Sequence, residues 1–152
     1  MIVELISAAL GTIAFALLFG VPKRYYLRCG AIGSAGWLMY RLMQAIHVGP
    51  TFSIFFATVV VVLLSRFSAV RQKCPATVFL ITGIFPLVPG ARFYWAAYYL
   101  VTNQLADFQA SGFAAVKEII AIVLGIIFVF EIPHGFFRWG FVRKRHEARR
   151  SE

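Results

Sequence analysis

The segment Pro86-Leu87-Val88-Pro89-Gly90-Ala91-Arg92 carries the residue types in this chain best placed to do chemistry. Each proline lacks an N–H and crowds the preceding turn, and Gly90 is a weak helix former, so an apolar helix predicted over 76–101 must come apart here. The half beginning near Ala91 then presents free amides and the positive end of its dipole. The half over 77–85 presents carbonyls from the other side. A carboxylate suits the first end and an ammonium or other cation the second. Arg92 adds a full positive charge, and Tyr94 and Tyr98, four residues apart, share a face along a path outward. Pro86, Pro89, Gly90, Arg92 and Tyr94 are therefore candidate binding residues. The other reading of the same residues is a proline kink in a packed helix, with Arg92 paired to a structural acid.

The elements that must position this break are read from composition and breakers. The chain has 152 residues, 61% of them hydrophobic, with a mean hydropathy of +0.80. That apolar share exceeds the roughly 45–50% of ordinary soluble domains. The expected fold class is an all-α integral membrane protein with five transmembrane helices at about 2–19, 25–47, 50–64, 76–101 and 113–137, the fourth broken from Pro86 to Gly90. The five spans make one membrane domain over 1–141, followed by a basic tail over 142–152. The first segment lacks a basic start and a small-residue cleavage site, so it reads as a retained span rather than a signal peptide.

Charge sets the orientation. Lys23, Arg24 and Arg28 lie between the first two spans, Arg66, Arg71 and Lys73 between the third and fourth, and Arg138, Arg143, Lys144, Arg145, Arg149 and Arg150 after the fifth. The opposite connections, 47–50 and 103–112, hold no Lys or Arg. Basic loops face the cytoplasm, which predicts an outside N-terminus and a cytoplasmic C-terminus. The formal charge of +9 follows from this rule and predicts no nucleic-acid partner. Cys29 and Cys74 adjoin the basic clusters, on the reducing side, without metal-ligand spacing.

Three cations fall outside those loops. The Pro86 to Gly90 interruption falls about 15–20 Å into the membrane at 1.5 Å per residue, which leaves Arg92 too deep to snorkel easily; a charge at the centre costs about 2.5–3.5 kcal/mol on insertion scales. Arg41 in the second span and Lys117 near the outer start of the fifth are expected to snorkel or to pair with Glu118. Glu131, before Pro133, is expected to pair with the basic tail rather than to couple protons, and Glu4 to be solvated at the outer edge. Gly30, Gly33 and Gly36 form a small-residue strip for close helix packing, with Ser34 beside it as a hydroxyl available to a pathway. His47, His134 and His146 are scattered, and no nucleophile elbow, phosphate loop or metal-binding spacing occurs. The sequence predicts no enzyme, no metal and no cofactor.

Val21-Pro22-Lys23-Arg24, Cys29 with Gly30, Gly33 and Gly36, Phe85-Pro86-Leu87-Val88-Pro89-Gly90 with Tyr94, and Ile132-Pro133 before a basic tail resemble the bacterial threonine/serine exporter family. They resemble most its short form, which corresponds to the C-terminal membrane half of the full exporter. The resemblance implies a subunit of a secondary-active inner-membrane exporter of small amino acids or small carboxylates, working beside a larger membrane subunit. Pro86, Pro89, Gly90 and Tyr94 match the motif. Arg92 departs from the small or apolar residue expected there and tilts the substrate toward an anion. One broken helix is only half of a typical site, so a partner is expected, either the larger subunit or further copies of this chain. The alternatives are a non-transporting membrane subunit that stabilises a complex, and a homo-oligomeric channel.

Overall fold

The computed structural model describes residues 1–132; the calls on Pro133, His134, His146 and the basic tail lie outside them. The regular elements of the described chain are all helices: α1 (Ile2–Leu18), α2 (Tyr26–Ala45), α3 (Pro50–Gln72), α4 (Thr77–Ile84), α5 (Gly90–Val101) and α6 (Leu105–Phe130). Short 3₁₀ turns over Lys23–Tyr25 and Phe85–Leu87 precede α2 and follow α4. α3 and α6 are long and apolar enough to cross a membrane. α4 with its 3₁₀ turn and α5 make a third candidate, bent by 51°. α1, at 17 residues, is about 26 Å long and falls short of a 30 Å core.

Four of the helices end on a residue in the left-handed region: Gly20 (φ 67°), His47 (φ 60°), Lys73 (φ 53°) and Asn103 (φ 58°). The amide that follows each one reaches back to a carbonyl of the last turn, Val21 to Ala16 at 2.9 Å, Val48 to Met43 at 3.1 Å, Cys74 to Ala69 at 3.2 Å and Gln104 to Tyr99 at 2.8 Å. These bonds satisfy the orphan carbonyls of a helix end and fold the chain back sharply. At these four connections the chain therefore turns back on itself; α4 to α5, bent by 51°, is the exception.

Three element boundaries differ from the sequence expectation, the simplest being the end of α6 at Phe130 rather than near 137. α3 continues to Gln72 rather than stopping near 64, because nothing between Leu64 and Gln72 breaks a helix. Arg66 and Arg71 thus lie on the helix and not in a loop. Arg66 is 3% exposed; it donates through Nη1 to the carbonyls of Val129 and of Ile132, the latter at 3.0 Å, and so caps the end of α6. α6 begins at Leu105, so 105–112 is not a loop. Asp107 in its first turn favours the dipole there, and only Thr102 to Gln104 separates α5 from α6.

The core lies among α1, α2, α3 and α4, with Phe79, Val61, Val62 and Cys29 fully buried. The glycines of α2 set how closely these helices approach. A Cβ on Gly33 would collide with the side chain of Thr12, and one on Gly36 with Val61. On α4, Gly83 would meet Ile32 at 2.9 Å and Val61 at 3.0 Å. α6 packs along α3, where Gly125 faces Thr58. α5 packs chiefly on α6 as the second arm of a hairpin, and it is α5, not α6, that lies off the α1–α4 core.

Candidate functional site

The chain comes apart where the prolines predict. α4 tightens into the 3₁₀ turn Phe85–Leu87, Val88 is extended (φ −63°, ψ 129°), and α5 restarts at Gly90 after Pro89. Pro89 provides no side-chain cap. Gly90 N–H is taken by Val88 O at 2.7 Å and Phe93 N–H by Pro89 O at 3.2 Å. Between them, the amides of Ala91 and Arg92 find no backbone carbonyl among the described residues. A cavity of about 240 Å³ opens at this point, lined by Pro86 to Arg92 together with Trp37 and Tyr40 of α2, Ile54 of α3 and Glu118 of α6.

Arg92 and Glu118 meet across the cavity wall, with Arg92 Nε donating to Glu118 Oε1 at 2.6 Å. The Glu118 side chain is 6% exposed and that of Arg92 40%. Burial of the carboxylate without a partner would be costly, and the guanidinium supplies one while keeping its own contact with the open side. Tyr40 accepts a bond from Gln44 Nε2 at 2.7 Å, which leaves its own O–H to donate. Arginine, carboxylate, phenol and free amides thus converge on one small, mostly apolar space. That set can hold a ligand bearing both a carboxylate and a positive group.

The remaining candidates are placed elsewhere. Ser34 lies at the α1–α2 contact, its hydroxyl donating to Leu5 O at 3.1 Å. Tyr94 is 64% exposed and stacks edge-on with Trp95, which does the same with Tyr98; neither tyrosine lines the cavity. Arg41 pairs with Glu4 at 3.0 Å, not with Glu118, and Trp37 Nε1 also donates to Glu4 at 3.3 Å, so Glu4 is held rather than simply solvated. Lys117 forms no ion pair among the described residues and is exposed near the middle of α6. Adjacent helical residues point about 100° apart, which is why Lys117 and Glu118 do not pair. Glu131 is exposed at the end of α6.

Sequence reasoning did not bring Glu118, Trp37, Tyr40 and Ile54 to the break. The helical period held the missing signal for Glu118. It shares a face with the buried residues Ala115, Ala121, Ile122 and Gly125, the face that α6 turns inward.

Residues 4–132 match the family described as Threonine/Serine exporter, ThrE. The chain belongs to this family. It is therefore a membrane protein of a transporter family rather than of an enzyme family. It is also similar to an uncharacterized protein of Haemophilus influenzae, 28% identical over 131 residues, covering 81% of this chain and 44% of that relative. The chain thus spans less than half the length of this relative. No solved structure matches it.

Proposed function

We propose that this chain is a subunit of a secondary-active exporter of small amino acids of the threonine/serine type in the bacterial inner membrane, with the substrate seated at the break between α4 and α5. The observation that carries the reading is the Arg92–Glu118 pair in a 240 Å³ cavity at that break. Broken membrane helices are tolerated where the opened backbone lines a protected polar space, and half-helix N-termini in transporters hold anionic substrate groups. Pro86, Pro89 and Gly90 open the backbone, and Arg92 with the amides of Ala91 and Arg92 receives the carboxylate. The cavity lies just below the roughly 300–1,000 Å³ of drug-sized ligand sites, a size suited to few heavy atoms. A small carboxylate is the second substrate class, favoured by Arg92.

In this reading the chain crosses the membrane five times with its N-terminus outside. Lys23, Arg24 and Arg28 share one end of the bundle with Arg71 and Lys73, in keeping with the positive-inside rule. The working transporter pairs this half with a larger membrane subunit. The Haemophilus relative is more than twice as long as the matched region, and the α5–α6 hairpin offers apolar surface for such a partner. Export is driven by the proton gradient or the membrane potential.

The test is efflux of labelled serine and succinate from cells expressing this chain with its larger companion. Arg92→Ala is expected to lower efflux of the physiological substrate at least tenfold. Unchanged efflux of both solutes would remove Arg92 from the site.

A further inference from the structure

Resting on the reading of the break cavity as the substrate site, we propose that Glu118 is the coupling group of the transport cycle. Its carboxylate holds either the ammonium of a zwitterionic amino acid or a proton, never both, while Arg92 holds the substrate carboxylate.

Hydrogen-bonding capacity is the first support. A guanidinium carries five N–H donors, and among the described residues Arg92 engages Nε alone, with Glu118 Oε1. Both terminal amino groups of Arg92 and the second oxygen of Glu118 have no hydrogen-bond partner among the described residues. Planar Nη1 and Nη2 fit a carboxylate with two parallel bonds, and the free Glu118 oxygen is an acceptor for an ammonium. The site already contains the charge pattern of an amino acid, reversed.

Net charge is the second. Arg92 and Glu118 sum to zero, so a zwitterion enters without leaving a buried charge unbalanced. A dicarboxylate brings a second negative group against Glu118, and like charges in a low-dielectric site repel strongly. Glu118 thereby opposes the anionic preference that Arg92 alone would give.

The surroundings of Glu118 are the third. On α5 it faces Arg92, and on α2 Tyr40, with Trp37 beside it. α3 contributes Ile54 here, while its titratable residues Arg66 and Arg71 lie at the opposite end of that helix. Arg41 on α2 is held by Glu4. Among the described residues no other carboxylate lines the cavity, so proton uptake within it falls to Glu118. Arg92 lines the same cavity with its side chain 40% exposed, so its charge reaches the contents of the cavity when Glu118 is neutral.

The cycle follows. Facing the cytoplasm, ionised Glu118 binds the ammonium and Arg92 the carboxylate. Facing outward, the amino acid leaves and an external proton takes its place on Glu118. The proton then rides inward and is lost to the cytoplasm. One proton enters for each zwitterion exported, and one positive charge moves inward per turn, so both the pH gradient and the membrane potential drive the step.

The test uses the exporter complex reconstituted in proteoliposomes, with serine, N-acetylserine and succinate as probes. In the wild type, serine movement is accompanied by opposite proton movement. Its apparent affinity for serine falls on acidification, approaching tenfold per pH unit as proton and ammonium compete for one group. N-acetylserine, which has no ammonium, does not compete. Glu118→Gln binds serine at least tenfold more weakly, with no pH dependence, and no longer accumulates it against a gradient; Glu118→Asp retains both properties. Driven accumulation by Glu118→Gln with the wild-type pH profile overturns the proposal. Should that variant not assemble, a pH-independent wild-type affinity, or competition by N-acetylserine equal to that of serine, overturns it as well. Transport of succinate without serine refutes the role of Glu118 and leaves the exporter reading standing. Absence of any solute flux from wild-type vesicles refutes both.

Discussion

The Arg92–Glu118 pair is asymmetric, and the asymmetry decides which substitution harms the fold. Glu118 is buried at 6% side-chain exposure and Arg92 is open at 40%. Arg92→Ala strands a buried carboxylate, a loss of about 1–3 kcal/mol. Glu118→Gln leaves a half-open guanidinium on the cavity wall beside a neutral amide and costs less. In thermal unfolding of the detergent-solubilised protein, Arg92→Ala should lower the midpoint clearly more than Glu118→Gln; the reverse order would mean that Glu118 has another partner. The Glu4–Arg41 pair makes a contrast, since its side chains are 38% and 42% exposed. Such pairs contribute about 0–1 kcal/mol, so Arg41→Gln should shift the midpoint little, and less still at high salt. At this scale the sequence was legible for Arg92, whose depth made it expensive, and not for its partner. The two residues are separated by 26 positions on different helices, and only the turn at Thr102 to Gln104 brings them level.

Helix breaks are legible when they come from proline and illegible when they come from a left-handed turn of ordinary residues. Pro86, Pro89 and Gly90 announced the 51° bend because removing amides leaves a helix no choice. His47, Lys73 and Asn103 take φ near +60°, where glycine goes most readily and asparagine or histidine occasionally, and nothing in their side chains required it. The end of α3 and the start of α6 were accordingly misjudged by about eight residues each. If the break is the binding element, restoring both amides matters more than altering either side chain. The double variant Pro86→Ala, Pro89→Ala should straighten α4 into α5, remove the free amides at Ala91 and Arg92, and abolish serine efflux while the protein still inserts and purifies as a single species. Retention of full efflux would show that the opened backbone is not used. The small-residue strip gives an independent check on packing. Gly36→Val presses a branched side chain onto Val61, and overpacking of this kind costs about 1–3 kcal/mol; thermal unfolding should report it with or without substrate.

On the scale of the whole molecule, the unbalanced feature is the α5–α6 hairpin. Phe93, Trp95, Leu100 and Val101 of α5 and Phe113, Val116, Ile120 and Leu124 of α6 are all exposed, a surface that lipid alone would satisfy. Lys117 is different. It is the thirteenth residue of a 26-residue helix (Leu105–Phe130), about 18 Å from either end, on the same exposed side as Phe113, Ile120 and Leu124. In hydrocarbon a central lysine costs about 2.5–3.5 kcal/mol, and its neighbours on α6 offer no counter-charge within reach. A companion subunit that lays a polar or acidic side chain against this stripe removes the cost. A family relative more than twice the matched length has room to carry that companion within one chain. Lys117→Glu should therefore reduce co-purification with the larger subunit at least tenfold, whereas Phe113→Leu, which keeps the stripe apolar, should not. A photo-reactive residue at Ile120 should crosslink to that subunit and not to a second copy of this chain. Undiminished co-purification of Lys117→Glu, or crosslinks between identical chains, would assign the hairpin to lipid or to self-association instead.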